Sequence, residues 1–176
     1  MMRSLQIRNI PLPDLLTYHP RIKFASIAGC LVFFMITLSS CDPGRIYENN
    51  TPIDPLGWQV ANKIPFELDI TDTLALLNFY INIRHTTDYK YRNIFLFVDT
   101  FFPEGTQSRD TVEIMLADTK GKWFGKGIGN IRSNQVLLKR GFSFPMKGHY
   151  KFRIEQGMRE PELTGIKDMG IRIEKM

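Results

Sequence analysis

From residue 64 onward, apolar side chains recur at every second position in short runs, and this period most constrains the fold. In "IPFELDI", Phe66, Leu68 and Ile70 share one face. "NFYINIRH" places Phe79, Ile81 and Ile83 on one side and Tyr80, Asn82 and Arg84 on the other. Val112, Ile114 and Leu116 alternate in "DTVEIMLAD", Tyr150, Phe152 and Ile154 in "GHYKFRIEQ", and Met169, Ile171 and Ile173 in "DMGIRIEKM". A period of two sends successive side chains to opposite faces of a strand, so each run reads as half-buried. "NIFLFVDTFF" is nearly continuous, which predicts a central strand covered on both faces. Turn clusters such as "PEGTQ", "DTKGK" and "PMKG" separate the runs. The pattern predicts an all-β antiparallel β-sandwich, jelly-roll or Ig-like, over residues 63–176. Only a turn near "MREPEL" suggests helix, and no internal repeat is present.

The first forty residues follow other rules. Phe24 to Leu38 forms an apolar stretch preceded by Arg21 and Lys23 and followed by Ser39, Ser40 and Cys41. A stretch of this length matches the ~7–15 residue core of a signal peptide and is short of the ~20 residues of a spanning helix. The segment Leu38-Ser39-Ser40-Cys41 resembles the bacterial lipobox, in which a peptidase cuts before the cysteine and the sulfur carries lipid. The expectation is a lipoprotein signal peptide over 1–40, cleavage between Ser40 and Cys41, and diacylglycerol plus an N-acyl chain on Cys41, with no other cofactor. Each buried methylene contributes ~0.8 kcal/mol, so two or three chains hold a protein firmly to a membrane. The other cysteine, Cys30, lies within the signal segment and leaves with it.

Residues 41–62 hold prolines, glycines and asparagines with no clear period, and read as the lipidated N-terminus and a flexible tether. Trp58 is the expected landing point on the domain. Four of the 23 basic and one of the 18 acidic residues fall within the first forty, so the net charge of +5 drops to +2 beyond them. The remaining charges are interleaved, without a basic block, which gives nucleic-acid binding no support.

Catalytic signals are sparse. His85 and His149 stand alone, with no histidine or cysteine at ligand spacing, and read as structural rather than metal-binding. There is no G-x-S-x-G elbow. Asp69, Asp72, Asp99, Glu104, Asp110, Glu113 and Asp118 could supply an acid pair for glycoside hydrolysis, but most stand beside turn residues, where Asp serves the turn itself. In "GKWFGKGIGNIRSNQ" the alternating Gly125, Gly127 and Gly129 mark either a close backbone approach or a binding loop, with Trp123 and Phe124 among them.

The runs "YINIRHTTDYKYRNIFLFVDTFFPEGTQSRDTVEIMLAD", "GKWFGKGIGNIRSNQVLLKRGFSFPMKGHYKFRIEQGMRE" and "GIKDMGIRIEK" resemble the GldH family of gliding-motility lipoproteins from Bacteroidetes. That resemblance implies a non-catalytic envelope protein serving a gliding apparatus coupled to type IX secretion, with other envelope proteins as partners. It brings no catalytic or metal-binding residues. Asp88, Tyr89, Tyr91, Asn93, Trp123, Arg132, Asn134 and Gln135 are the candidates for a shared interaction surface. Surface-exported lipoproteins of that phylum often carry an acidic run just after the cysteine; "CDPGRIY" has only Asp42 and does not resemble them, which implies the periplasmic face of the outer membrane. The alternative reading is a glycan-binding sandwich that uses Trp123, Tyr89 and Tyr91 as sugar platforms.

Overall fold

The computed structural model describes residues 42–176. The signal segment, Ser40 and Cys41 lie outside these residues. Ten strands follow in order: β1 Arg45–Pro52, β2 Trp58–Gln59, β3 Ile64–Ile70, β4 Leu77–Thr86, β5 Asn93–Phe101, β6 Gln107–Met115, β7 Ile131–Phe142, β8 Gly148–Gln156, β9 Glu162–Leu163 and β10 Ile166–Lys175. No helix occurs among the described residues, and the stretch around "MREPEL" carries β9 instead.

Two four-stranded sheets, β1-β10-β4-β7 and β3-β8-β5-β6, form the sandwich, and β2 pairs with β9 beside it. All pairings are antiparallel. The strand order decides between the two expected sandwich types. β5 and β6 form a hairpin, β4 then pairs β7, β3 pairs β8 and β1 pairs β10. The chain is therefore one long antiparallel ribbon, closed into two sheets where β10 meets β4 and β8 meets β5. That winding is a jelly roll, not the immunoglobulin grouping.

The core is what the period of two predicts. Phe66, Leu68, Phe79, Ile81, Ile83, Ile114, Leu116, Tyr150, Phe152, Ile154, Met169, Ile171 and Ile173 are all buried. Trp58 is also fully buried, and its indole N–H donates to the carbonyl of Asn62 at 2.7 Å.

Three expectations change. The tether does not extend over 41–62, because residues 45–52 are β1, registered against β10 from Arg45↔Glu174 to Pro52↔Asp168. Even the turn before it is fixed: the Arg45 N–H donates to the Asp42 carbonyl, and Gly44 accepts from the Lys175 N–H at 2.8 Å. Residues 131–135, grouped in the sequence with the glycine-rich segment, open the twelve-residue strand β7. Finally, β5 is internal to its sheet but covered on one face only. Phe95 is 36% exposed on the outer face, with Phe97 and Phe101 half-buried there.

What covers those outer rings is a pair of arginines. Arg109 lies over Phe97 and Arg153 over Phe101, each 5.0 Å from the ring centroid. Both guanidinium groups also hold the buried carboxylate of Asp99, at 2.6 Å from Arg109 and 2.8 Å from Arg153. Burial works to raise the Asp99 pKa, but these hydrogen bonds outweigh it and hold the carboxyl below its usual range. Arginine can stack on a ring and pair with a carboxylate at once, so a second protein layer is not needed here.

The sandwich has two ends. Asp42, the β3–β4 segment 71–76, the β5–β6 turn 102–106 and the β7–β8 segment 143–147 meet at the proximal end. The β4–β5 segment 87–92 and the β6–β7 loop 116–130 lie at the distal end. One strand length, roughly 30 Å, separates the two ends.

Candidate functional site

The distal end brings together most of the candidate surface residues, and its centre is a residue outside the candidate set. His85 continues the inward face of β4 after Phe79, Ile81 and Ile83, and is fully buried. The ring of Trp123 lies 4.6 Å from it and that of Tyr89 5.9 Å, while Tyr91 packs edge-on to Tyr89 at 5.7 Å. Tyr89 donates its hydroxyl to the Asn93 carbonyl at 3.0 Å, and Tyr91 donates to the Glu160 carboxylate at 2.5 Å. Burial pushes the Tyr89 phenol well above its ordinary value, and the hydrogen bond to Glu160 raises Tyr91. Gly165 permits this packing. It has a φ of 90°, and a Cβ there would stand 3.0 Å from the Tyr89 Cα.

The glycine-rich loop is built around the same cluster. Asp118 accepts the backbone N–H groups of Lys120 and Lys122 at 2.8 and 2.9 Å, closing the turn, and Gly121 adopts a φ of 80° within it. Ala117 bridges to Trp123, and Lys126 exchanges two backbone hydrogen bonds with Ser133 of β7. Gly125 and Gly127 serve close approach, which only a residue without a Cβ allows. A Cβ at Gly125 would meet the Asn134 amide at 2.7 Å, and one at Gly127 would meet the Ile131 carbonyl oxygen at 2.1 Å. The loop is thus held from inside by Trp123 and Asn134 and along its side by β7. Its outer surface carries Phe124, 59% exposed, and Ile128, 96% exposed, with Lys120, Lys122 and Lys126 in solvent. None of these three lysines takes part in the ion pairs of the described residues.

The other candidates divide. Asp88 is exposed at the same end, and Arg132 donates to the carbonyls of Gly129 and Ile131, both at 2.8 Å. Asn93 opens β5 and donates to Glu113 at 2.6 Å. Asn134 is buried and faces inward opposite Ile83, so it supports the loop rather than presenting a surface. Gln135 belongs elsewhere, to the outer face of the β1-β10-β4-β7 sheet. There it donates to Asn82 at 3.3 Å, Asn82 donates to Asn50 at 3.2 Å, and Arg84 pairs with Asp168 at 2.8 Å around a shallow cleft of about 340 Å³. Ser40 and Cys41 lie outside the described residues.

The geometry does not favour the aromatic sugar platform. Tyr89 is buried, and Tyr91 and Trp123 are half-buried with their rings packed on Tyr89 and His85. The carboxylates weighed as an acid pair are mostly committed. Asp72 and Asp118 cap turns, Asp99 holds two arginines, Asp69 accepts from His149, and Glu104 and Glu113 accept from Thr106 and Asn93. Among the described residues, no group of three or more His, Cys, Asp or Glu side chains is placed to hold a metal ion.

His85 gives the cluster a pH response. Its Nδ1 lies 2.8 Å from the Thr86 carbonyl, while Nε2 is buried with no protein partner. A carbonyl can only accept, so Nδ1 carries the proton of the neutral ring. Burial pushes the imidazole pKa below its ordinary value, and the charge of Arg132 adds to this against the opposing Thr86 bond. The unfolded chain therefore binds the proton first as pH falls, and stability declines below about pH 6.5. The expected result is a lower urea midpoint at pH 5 than at pH 7.5, with much of the difference gone in His85→Gln. The acidic groups held below their usual range, such as Asp99 and Glu155, lose their contribution at lower pH. An undiminished difference in His85→Gln would assign the response to another group.

Comparison with known proteins gives a consistent result. A family model described as GldH lipoprotein matches residues 45–173. A protein of Christiangramia forsetii described as a gliding motility lipoprotein GldH homolog is 36% identical over 151 residues, covering 82% of this chain and 92% of its own length. The gliding motility lipoprotein GldH of Flavobacterium johnsoniae is 31% identical over 155 residues, covering 84% of this chain and 96% of its own. Among solved structures, the VP2 subviral particle of infectious bursal disease virus aligns at 14% identity and a TM-score of 0.31. That alignment covers 77% of this chain and 34% of VP2, a likeness too weak to bear on function.

Proposed function

Since the chain belongs to the GldH lipoprotein family, we propose that it is a non-catalytic, lipid-anchored envelope protein that supports gliding motility through protein contacts. The anchor is the lipid on Cys41, and the location is the periplasmic face of the outer membrane. The machinery it serves is the gliding apparatus linked to type IX secretion. Its working surface is the distal loop, and the observation that carries this is the pairing of exposed Phe124 and Ile128 with three exposed lysines on an internally braced loop. Apolar anchors on a pre-formed loop bind at little entropic cost, and the surrounding cations select a partner with an acidic face. Asp88 and Arg132 belong to the rim of this surface, while Tyr89, Tyr91 and Trp123 are its foundation.

A photo-crosslinking residue placed at Phe124 in cells tests this. The expected result is a discrete protein adduct from the envelope that disappears when Lys122 and Lys126 are changed to Glu, with the amount of membrane-bound protein unchanged. No protein adduct, an adduct indifferent to charge reversal, or recovery of polysaccharide alone would overturn the contact reading.

A further inference from the structure

With lipid on Cys41, the domain has almost no slack between itself and the membrane. Only Asp42, Pro43 and Gly44 separate Cys41 from β1, and the Asp42 carboxylate is itself held by Arg172. Three residues span at most ~11 Å. A sandwich tied this closely must bring its proximal end to the level of the lipid headgroups.

That end is built for such a position. Leu74 is 89% exposed, Leu76 57% and Met176 71%. They are held in place: Leu74 donates its N–H to the Asp72 carboxylate at 2.9 Å, and Met176 donates its N–H to the Leu76 carbonyl at 2.9 Å. Pro103 and Pro145 are exposed in the neighbouring turns. The charge around them is mixed. Arg140, Lys147 and Lys175 are exposed and join no ion pair of the described residues, and the same holds for Asp72 and Glu104, whereas Asp42, Glu48 and Glu174 are all drawn onto Arg172. A cleft of about 450 Å³ lined by Phe79, Phe102, Phe142, Phe144, Tyr150 and Phe152 opens between β6 and β7 on the same half of the domain. Exposed leucines flanked by long charged side chains suit the boundary between headgroups and acyl chains, where apolar groups dip inward and charged groups stay at headgroup level.

We propose that Leu74, Leu76 and Met176 form a membrane seat that rests among the lipid headgroups beside the Cys41 anchor and holds the sandwich upright. The distal loop then stands a strand length above the bilayer, facing away from it.

The test uses the full lipidated chain in vesicles of phosphatidylethanolamine and phosphatidylglycerol. A nitroxide is attached through Leu74→Cys or, for comparison, Ile128→Cys; the sulfur of Cys41 is blocked by lipid. The seat predicts that the label at 74 is relaxed by oxygen over a water-soluble nickel chelate at least threefold more selectively than the label at 128. Equal, water-like accessibility at both positions in protein that still floats with the vesicles would overturn the seat and leave the anchor intact. Failure of the chain to float would remove the anchor, and the seat with it. Spin–spin broadening between labels at 74 would show a second copy on this surface and overturn the lipid assignment.

Discussion

Replacing Gly170 by valine should destabilise the domain by about 3 kcal/mol or more and release β1 before the rest of the sandwich unfolds. Gly170 sits in β10 between Asn50 of β1 and Asn82 of β4. Asn82 donates its side-chain amide to the Asn50 side-chain oxygen Oδ1 at 3.2 Å across it. A Cβ at this position would lie 2.0 Å from that same oxygen and 2.6 Å from the Asn49 backbone oxygen. The side chain of Asn50 could turn away, but the backbone of Asn49 can yield only if β1 moves. β1 is an edge strand with no partner other than β10 among the described residues, so it is the element that gives way. Urea denaturation should show the lower midpoint, and hydrogen exchange should show the β1 amides opening with less protection than those of β4. A midpoint equal to the wild type would mean that the sheet absorbs the branch without parting. The substitution also bears on the membrane seat. Freeing the eight residues of β1 lengthens the link between anchor and domain. The added reach is about 27 Å for a fully extended chain. The label at residue 74 should then become water-like while the protein remains on the vesicles.

The strands that can be read from the sequence are those with one wet and one dry face. β3 alternates buried and exposed positions along its whole length, and β4, β8 and β10 do so nearly as well. β1 and β7 escape because neither buries a regular apolar face; edge position alone does not hide a strand, since β3 is also at a sheet edge. β7 has a bulged register against β4 near Phe79, which shifts its alternation, and one of its inward positions is Asn134. β1 offers no regular apolar face; its clearest mark is Gly170, a glycine inside a strand pattern far along the chain. β5 misleads in the other direction. Its phenylalanines suggest two dry faces, whereas Arg109 and Arg153 cover one of them from the surface.

The distal end divides in the same way. Asp88, Tyr89, Tyr91, Trp123 and Arg132 are candidates through resemblance, which does not distinguish residues that present a surface from those that support one. Parity does distinguish His85: it follows Phe79, Ile81 and Ile83 at every second position, so it belongs to the dry face of β4. A histidine in that register needs aromatic cover, and Trp123 and Tyr89 provide it. Phe124 and Ile128 give no periodic signal because nothing in their own domain buries them.

Trp123→Ala should therefore separate support from surface. The ring is half-buried against His85. Its removal is expected to cost about 2–3 kcal/mol, below the range for a fully buried tryptophan. The loss should concentrate in the loop, where the paired amides of Lys126 and Ser133 would exchange faster than those of β10. A crosslinking residue at Phe124 should lose its adduct under conditions where the domain is still folded, although Trp123 itself presents little surface. Trp123→Phe, which keeps a ring over His85, should recover most of both properties. The pH profile supplies an independent check on the mechanism. With the indole gone, water reaches His85, its pKa rises toward the ordinary value, and the difference in proton binding between folded and unfolded chains shrinks. The variant should be less stable than the wild type at pH 7.5 yet lose less on going to pH 5. If it lost stability equally at both pH values, Trp123 would be packing without shielding His85. If the adduct persisted with the loop exchanging freely, a braced loop would not be what the partner requires.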